Sequence, residues 1–186
     1  LKTKAPSVTD MLKKLSDKQL VTYKKYQGAL LTEEGRKTAL NIIRKHRLWE
    51  VFLVEKLNFN WSEVHEVAEQ LEHIKSKKLT NELDKFLGYP TKDPHGDPIP
   101  NTAGFIKYTK KLLLSNLQIG DKGTFVGVKD SSSAFLKFLD KRKIALGSSI
   151  EILHIEDFDE SLNIGMDQNN LTISMKSANN IYITKI

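Results

Sequence analysis

The apolar residues in the first third of the chain follow two different periods. Between residues 6 and 20 they recur every three or four positions, which predicts an amphipathic helix: Val8, Met11, Leu12, Leu15 and Leu20. Two short β-prone runs at 20–24 and 29–32 flank a turn that contains Gly28, and together they predict a small hairpin. The helical period returns from about residue 33 to 57, so a long helix is expected to follow the hairpin.

The middle of the chain shows two further helical patterns and then a segment rich in proline. Ser62 is a suitable N-cap for a helix through about residue 75, and residues 79–87 predict another helix that Gly88 ends. Residues 89–101 hold four of the five prolines in the chain, which indicates a rigid linker and a domain boundary.

Beyond residue 117 the pattern changes to short extended runs separated by Gly, Asn and Asp. The runs that predict strands are residues 124–128, 149–155, 171–175 and 181–186. A short helix is expected at 134–142, between the first two strands. The resulting prediction for this part of the chain is a small, mostly β domain of the barrel type.

The composition removes several classes of function. The chain has 186 residues, enough for one large or two small domains, and its lack of cysteine excludes disulfides, thiolate metal sites and thiol catalysis. No apolar run approaches the roughly 18 residues needed to cross a bilayer, so no membrane span is expected and the cytoplasm is the expected location. Because Leu1 stands close to a predicted helix start, we expect further sequence before it.

The positive charge is concentrated at one end of the chain. Residues 1–47 hold twelve Lys and Arg against four Asp and Glu, whereas the remaining residues hold seventeen basic and nineteen acidic side chains. Such a localised basic surface is typical of nucleic-acid binding, although a solvated lysine-rich face gives the same count. The order helix, hairpin, helix in this segment is that of a winged helix-turn-helix, whose hairpin would carry Lys24 and Lys25 towards the DNA backbone.

Histidine and carboxylate side chains are concentrated on the two helices that follow the hairpin. The side chains that project from one face of the second helix, at i, i+4, i+7 and i+8, are His65, Glu69, Glu72 and His73. The helix before it carries His46 and Glu50, also four residues apart. From position 50 to position 73 there are six Glu and one Lys, so ordinary pairing partners are scarce and a bound divalent cation would relieve the repulsion.

Two other interpretations of these residues are open. The first is a solvated acidic face that binds no metal, and the second is a metal-dependent hydrolase that uses the ion to activate water. The spacing His65-Glu66-x-x-Glu69 resembles the zinc-protease signature, but Glu69 stands where that signature requires a second histidine. A hydrolase would also leave the basic end and the hairpin unexplained.

Five stretches of the sequence together resemble the diphtheria-toxin-repressor family of metal-dependent transcriptional regulators, in particular its manganese- and iron-responsive members. They are residues 5–9 (APSVT), 31–35 (LTEEG), 44–50 (RKHRLWE), 65–73 (HEVAEQLEH) and 93–100 (DPHGDPIP). These stretches follow the order of the family over the first hundred residues, whereas the last seventy or so residues match only by position and strand pattern.

The resemblance implies an α+β protein with three parts. A winged helix-turn-helix DNA-binding domain, truncated at its N-terminus, is expected at 1–31, and a helical dimerisation and metal-binding domain at 32–101. A linker and an SH3-like β-barrel are expected at 102–186. The resemblance also implies a homodimer that binds a palindromic operator in double-stranded DNA when it is loaded with metal.

The candidate site residues follow from the same resemblance. The helix at 6–15 would be the recognition helix, and the candidate DNA-binding residues on it and on the hairpin are Lys4, Pro6, Ser7, Thr9, Asp10, Lys13, Lys24 and Lys25. The residues that match the primary metal site are Glu69, Glu72 and His73. Those that match the ancillary site are His46, Glu50 and His65, with Asp93 and Asp130 as further ligands from the proline-rich loop and the barrel.

One position bears on the choice of ion. Iron-selective relatives place Cys where this chain has Glu69, and a carboxylate oxygen favours Mn(II) over softer ions. The helix that supplies further primary-site ligands in relatives is absent from this sequence. The prediction is a non-enzymatic repressor that senses Mn(II), with Fe(II) as the second candidate, and controls metal-uptake genes. The alternatives are the hydrolase and a DNA-binding regulator that senses no metal.

Overall fold

The N-terminal segment folds as a helix followed by a hairpin, as its apolar pattern predicts. The structure, a computed structural model, describes residues 5–24, 26–166 and 169–186. Helix α1 spans Ala5–Asp17, and strands β1 (Val21–Lys24) and β2 (Gly28–Leu31) pair antiparallel. Gly28 adopts a φ of 95° at the turn, a conformation that costs glycine little.

The long helix α2 is the central element of the middle region and spans Glu33–Leu57. It begins where the Thr32 hydroxyl accepts a hydrogen bond from the Gly35 amide at 3.0 Å, and it ends at Asn58, whose φ of 57° is left-handed. Helices α3 (Val64–Leu71) and α4 (Lys77–Phe86) both pack against α2. Small apolar clusters join them, one around Leu48 and Val51 and another around Leu53, Val64 and Ala68.

Helix α3 is shorter than the apolar pattern predicts, because it ends at Leu71 rather than near residue 75. Lys45 donates to the carbonyl of Glu72, which satisfies a backbone acceptor at the end of the helix. Four residues later Ser76 adopts an extended backbone and caps α4, with its hydroxyl accepting from the Leu79 amide at 3.2 Å. As a consequence His73 lies in a turn beyond α3 and does not share a helical face with His65.

The proline-rich segment forms an ordered loop that packs against the C-terminal region. A bridge pairs Lys92 with Pro98 across the loop. The carbonyl of His95 accepts from the Val128 amide at 3.1 Å. Gly96 has a φ of 84°, and a Cβ there would lie 2.0 Å from the carbonyl oxygen of Val126, so only glycine fits this contact.

The C-terminal region is a six-stranded antiparallel sheet. The strands are β3 (Leu112–Leu113), β4 (Lys122–Val128), β5 (Ser149–Ile155), β6 (Leu162–Met166), β7 (Asn169–Ile173) and β8 (Ile181–Lys185). Their spatial order is β3-β8-β4-β5-β6-β7. Helices α5 (Ser133–Lys141) and α6 (Met175–Ala178) connect them. A single cluster of buried apolar side chains fills the interior, with Phe125, Leu136 and Ile164 fully buried.

Several details of this region differ from the predicted strands. Strand β3 was not predicted, and β4 begins at Lys122, two residues before the predicted start. Strand β6 was not predicted, because its sequence Leu-Asn-Ile-Gly-Met alternates correctly but contains two residues that are rare in strands. Strand β7 ends at Ile173, two residues before the predicted end, because Ser174 caps α6 instead.

In the described part of the chain no helix combines the length and apolarity needed to cross a membrane.

Candidate metal centre

The first group of candidate ligands lies between α2 and α3. His46 and Glu50 are one turn apart on α2, and His65 faces them from the first turn of α3. His46 Nε2 lies 3.0 Å from Glu50 Oε1 and 3.2 Å from His65 Nδ1, and His65 Nδ1 lies 3.5 Å from the same oxygen. The candidate ligand atoms of these three residues all lie within 4.8 Å of one another, and they are the residues that the resemblance assigns to an ancillary site.

A second group shares Glu50 with the first and is completed by the proline-rich loop. It consists of Glu50, Asp93 and His95, all buried, with candidate ligand atoms again within 4.8 Å of one another. Glu50 Oε2 lies 3.7 Å from His95 Nδ1, while its Oε1 faces the first group. Asp93 was predicted as a ligand, but His95 was not. Its signal was present in the sequence, as a histidine between two aspartates in a loop stiffened by proline.

The ionisable groups around Glu50 perturb one another. Burial would raise the pKa of Glu50, but hydrogen bonds and charges from His46 and His95 outweigh this and lower it to about 2. Burial would likewise lower the pKa of both histidines, yet Glu50 raises the pKa of His95, and Glu50 with Glu72 raises that of His46. The group is therefore strongly coupled, which is common at functional sites.

Asp93 is the group whose ionisation is least favoured at this site. Burial first, and then the charge of Glu50, raises the pKa of Asp93 to about 6. The backbone amide of Asp97 and the charge of His95 lower this pKa in part. The Nε of Arg47 lies 3.3 Å from Asp93 Oδ2, and its Nη2 lies 3.4 Å from Asp97 Oδ2. Arg47 also donates to the carbonyl of Pro98, so one guanidinium holds both the loop and its two aspartates beside Glu50.

Both groups line one cavity of about 320 Å³, and their chemistry fits a divalent cation. Three imidazoles and two carboxylates converge there without any thiolate, a donor set suited to a hard or borderline first-row metal ion. Two buried carboxylates side by side repel each other, and a cation between them would remove that cost. The residues present therefore fit a bound Mn(II) or Fe(II) ion.

The three residues assigned to the primary site are not gathered into one group in the described part of the chain. Glu72 is half-buried, and its Oε2 lies 2.8 Å from His46 Nδ1, so it orients a ligand of the first group. Glu69 is exposed and lines the same cavity as the two groups. His73 is exposed in the turn after α3.

Asp130 lies outside both groups. It is exposed, and its Oδ1 accepts from the backbone amide of Ser132 at 2.8 Å, which shapes the loop before α5. Its neighbour Ser131 lines the cavity, so this loop does reach the site, although Asp130 points its carboxylate into a turn.

The candidate DNA-binding residues lie on the helix and hairpin at the N-terminal end. Asp10, Lys13 and Lys24 are exposed and Thr9 is half-buried. Lys4 and Lys25 lie outside the described residues, as do the side chains of Pro6 and Ser7. The apolar face of α1 is more open than its pattern predicts, since Val8 is 41% and Met11 54% exposed.

Models of known domain families match three consecutive parts of the chain. The DNA-binding domain of the iron-dependent repressors matches residues 1–29, and their metal-binding and dimerisation domain matches residues 32–101. The FeoA domain, which is SH3-like, matches residues 112–185 and corresponds to the six-stranded sheet. The order and content of the three matches agree with the α+β architecture predicted from the sequence.

Solved structures agree with the matches over the whole chain. A manganese-dependent transcriptional repressor in complex with manganese is 31% identical and covers 100% of this chain, which covers 86% of that repressor, with a TM-score of 0.89. The chain belongs to the diphtheria-toxin-repressor family. A second structure, of the manganese regulator SloR, is 34% identical with a TM-score of 0.79 over 99% of this chain and 85% of the other.

Curated relatives share only segments with this member of the diphtheria-toxin-repressor family. The iron-dependent repressor IdeR of Mycobacterium tuberculosis is 46% identical over 70 residues, which is 38% of this chain and 30% of IdeR. A probable metal transport system membrane protein of Chlamydia trachomatis is 42% identical over 86 residues, 46% of this chain and 19% of that protein. The chain thus spans less than a third of the length of the curated relatives named here.

Proposed function

We propose that this chain is a metal-dependent transcriptional repressor that binds operator DNA as a homodimer. Mn(II) is the proposed ion and Fe(II) the second candidate, since both manganese-dependent and iron-dependent repressors are among the similar proteins. One observation carries the proposal. The buried carboxylate of Glu50 faces imidazole nitrogens on two sides, and the N-terminal part of the same chain carries a basic helix and hairpin.

The proposed ancillary ligands are His46, Glu50 and His65, extended by Asp93 and His95. Their support is the distances among their ligand atoms and the burial of Glu50, Asp93 and His95. Glu69, Glu72 and His73 are proposed as primary-site ligands on the family pattern alone. Asp130 stays a proposed ligand on the same ground, although its carboxylate caps a turn here.

Regulation in this proposal is thermodynamic linkage between metal and DNA. A bound ion supplies positive charge that stabilises one arrangement of the carboxylates and imidazoles. DNA binding responds only if that arrangement also favours the DNA-competent form, and the coupling is then reciprocal. The chain's own residues hold the ligands in place, with Glu72 fixing His46 and Arg47 fixing the loop that carries Asp93.

The proposed DNA-binding surface comprises α1 and the hairpin. Its residues are Lys4, Pro6, Ser7, Thr9, Asp10, Lys13, Lys24 and Lys25. The proposed domains are a winged helix-turn-helix at 1–31, the dimerisation and metal-binding domain at 32–101, and the linker with the SH3-like domain at 102–186. We propose a non-enzymatic role in the cytoplasm, in control of metal-uptake genes.

The test is DNA binding with and without metal. A duplex would be selected from a randomised pool in MnCl2, and its binding measured by mobility shift in MnCl2 and in a chelator, at two salt concentrations. We expect Mn(II)-dependent binding that weakens with salt, because phosphate contacts release counterions. Glu50→Gln should lose more than about tenfold of the Mn(II) response, since even a residue that only orients a ligand contributes roughly 10–100-fold in metal affinity.

Glu55→Gln is the matched control, because Glu55 is on the same helix but exposed. It should bind Mn(II) and DNA like the unmodified chain. DNA binding that is equal in MnCl2 and in chelator would favour a regulator that senses no metal. Metal-dependent turnover of a phosphoester or peptide substrate without selective DNA binding would favour the hydrolase.

A further inference from the structure

Trp61 contacts three separate parts of the molecule. It lies in the turn between α2 and α3, and its indole Nε1 donates to Asp140 Oδ1 on α5 at 2.7 Å. Its ring stacks on the imidazole of His95, with centroids 6.1 Å apart and planes inclined by 13°. Its backbone carbonyl accepts from His95 Nε2 at 2.7 Å. Trp61 therefore links the helical region, the proline-rich loop and the C-terminal sheet.

The hydrogen bond from His95 to this carbonyl determines which ring nitrogen is protonated and which one faces Glu50. A carbonyl oxygen only accepts, so Nε2 must carry the proton. In the neutral ring Nδ1 is then the nitrogen with a free lone pair, and Nδ1 is the atom that lies 3.7 Å from Glu50 Oε2. A ligand histidine held by a carbonyl through its other nitrogen is the usual way in which proteins fix its tautomer and orientation.

The C-terminal sheet also contacts the same histidine, through the backbone. The Val128 amide donates to the His95 carbonyl at 3.1 Å, and Gly96 packs directly against the backbone of Val126 and Gly127. The indole of Trp61 also packs against the apolar core of the sheet. Part of what orients His95, namely the Val128 bond and the packing of Gly96, therefore requires the C-terminal region to be docked on the helical region.

We propose that Trp61 is a positioning residue for the metal group of Glu50, Asp93 and His95, and that its bond to Asp140 makes metal binding at this group depend on docking of the C-terminal domain. This inference rests on the proposed metal-binding function. It assigns the C-terminal domain a role at the site that does not require a ligand from it. By linkage, an ion that binds the docked arrangement more tightly must strengthen docking by the same factor.

Three variants isolate the contribution of the bond between Trp61 and Asp140. Asp140→Ala removes the acceptor, and Trp61→Phe removes the donor while it keeps an aromatic ring against His95. Asp140→Asn keeps an oxygen that can accept from the indole, so it is the conservative variant. Lys137→Ala, at an exposed position of the same helix, is the control. Asp140 is exposed, so its removal leaves the apolar core intact even if Trp61→Phe fails to fold.

The first measurement needs no metal. Long-range ¹⁵N NMR of the metal-free chain reports which nitrogen of His95 is protonated. The spectra are recorded at a pH high enough to deprotonate the imidazolium, because Glu50 favours the charged ring. Under those conditions we expect the Nε2–H form to dominate in the unmodified chain and in Asp140→Asn, and a mixture of neutral forms in Asp140→Ala and Trp61→Phe. Equal His95 signals in all four proteins would overturn the positioning role.

The second measurement is calorimetric titration with MnCl2, combined with hydrogen exchange. Asp140→Ala and Trp61→Phe should each weaken Mn(II) binding by roughly tenfold, the lower end for residues that orient ligands. Their double variant should lose no more than either alone, because they remove the same bond. Mn(II) should slow exchange of the Val128 amide in the unmodified chain, and less so in Asp140→Ala.

The outcomes separate this inference from the proposed function. If the unmodified chain binds no Mn(II), the proposed function fails, whatever the NMR shows. If it binds Mn(II) but both variants bind with the same affinity and the Val128 amide does not respond, the proposed function stands and the inference is wrong.

Discussion

The helical region and the C-terminal sheet bury different kinds of side chain. The sheet encloses one cluster of sixteen buried apolar residues, whereas the helices share clusters of four and three. Of the six buried polar or charged residues in the described chain, five lie between positions 44 and 95, and only Ser161 lies in the C-terminal region, next to β6. The sheet is stabilised by apolar burial, whereas the helical region buries the charges of the Arg44–Asp84 pair and of the candidate metal groups.

The charges in the helical region are paired, which limits their cost without removing it. Arg44 Nη2 lies 2.6 Å from Asp84 Oδ2, yet Arg44 Nε has no hydrogen-bond partner. Buried ion pairs are often no better for stability than apolar residues of the same size. The comparison therefore predicts that the sheet tolerates loss of charge and not of volume, while the helical region responds to charge and to added cations.

The largest expected effect is a cavity in the sheet. Phe125 is fully buried in β4, so Phe125→Ala should lower the free energy of unfolding by about 3–5 kcal/mol. Phe125→Leu keeps most of the volume and should lose less than about 1.5 kcal/mol. Urea denaturation followed by circular dichroism measures both. A loss below about 1 kcal/mol for the alanine variant would show that this core does not dominate the stability of the sheet.

The matching change in the helical region removes one partner of the buried ion pair. Asp84→Ala leaves the guanidinium of Arg44 buried and uncompensated, and should cost about 3 kcal/mol in the same denaturation experiment. The double variant Arg44→Met with Asp84→Ala should recover much of that loss, because no charge is then buried. A double variant as unstable as the single one would mean that packing, and not charge, sets the cost.

Added cation should act on the helical region through Glu50. MnCl2 at a hundred times its dissociation constant should stabilise the unmodified chain by about 2.7 kcal/mol. Glu50→Gln should lose this gain because Glu50 belongs to both candidate groups, whereas Glu55→Gln should keep it. The midpoint of thermal unfolding with and without MnCl2 is the measurement. An equal gain in Glu50→Gln would place the binding site elsewhere.

The smallest expected effect is an acid dependence in the sheet. The backbone amide of Gln118 and then the ammonium of Lys185 hold the pKa of Asp121 below its usual value of 3.8. Because the folded pKa is the lower one, this stabilisation is present above about pH 4 and is lost as the pH falls through the folded value. Asp121→Asn should slightly flatten the fall of the melting temperature between about pH 5 and pH 2. Thr184→Ala, at an exposed position without an ionisable side chain, should leave that slope unchanged.

Local signals in the sequence predict the elements that local interactions determine. Helix α2 lies at 33–57 as predicted, since Thr32 supplies its N-cap and the apolar residues keep a helical period. Strand β5 also has the predicted bounds, because its β-branched and apolar residues form a compact run between polar turns. The predicted end of α3 was wrong. The group that caps this end is the side chain of Lys45 on α2, and the local sequence of α3 gives no sign of that contact.

The proposed metal site shows the same division. Spacing alone placed His46 and Glu50 on one helical face, and the family resemblance added His65 to them. His95 could not, since an irregular loop brings it to Glu50 from 45 positions away and a contact with the sheet fixes it there. The role of Trp61 depends on three such long-range contacts, so no pattern in the sequence predicts it.

The stacking of Trp61 on His95 also gives the protein an optical reporter at its own site. The chain has only two tryptophans, and the other, Trp49, packs edge-on against Phe52 on α2. In a Trp49→Phe background all indole emission would come from Trp61. A paramagnetic ion nearby quenches such emission, and movement of the C-terminal domain would change its wavelength. Ion arrival and domain docking could thus be followed in one cuvette, without any attached dye.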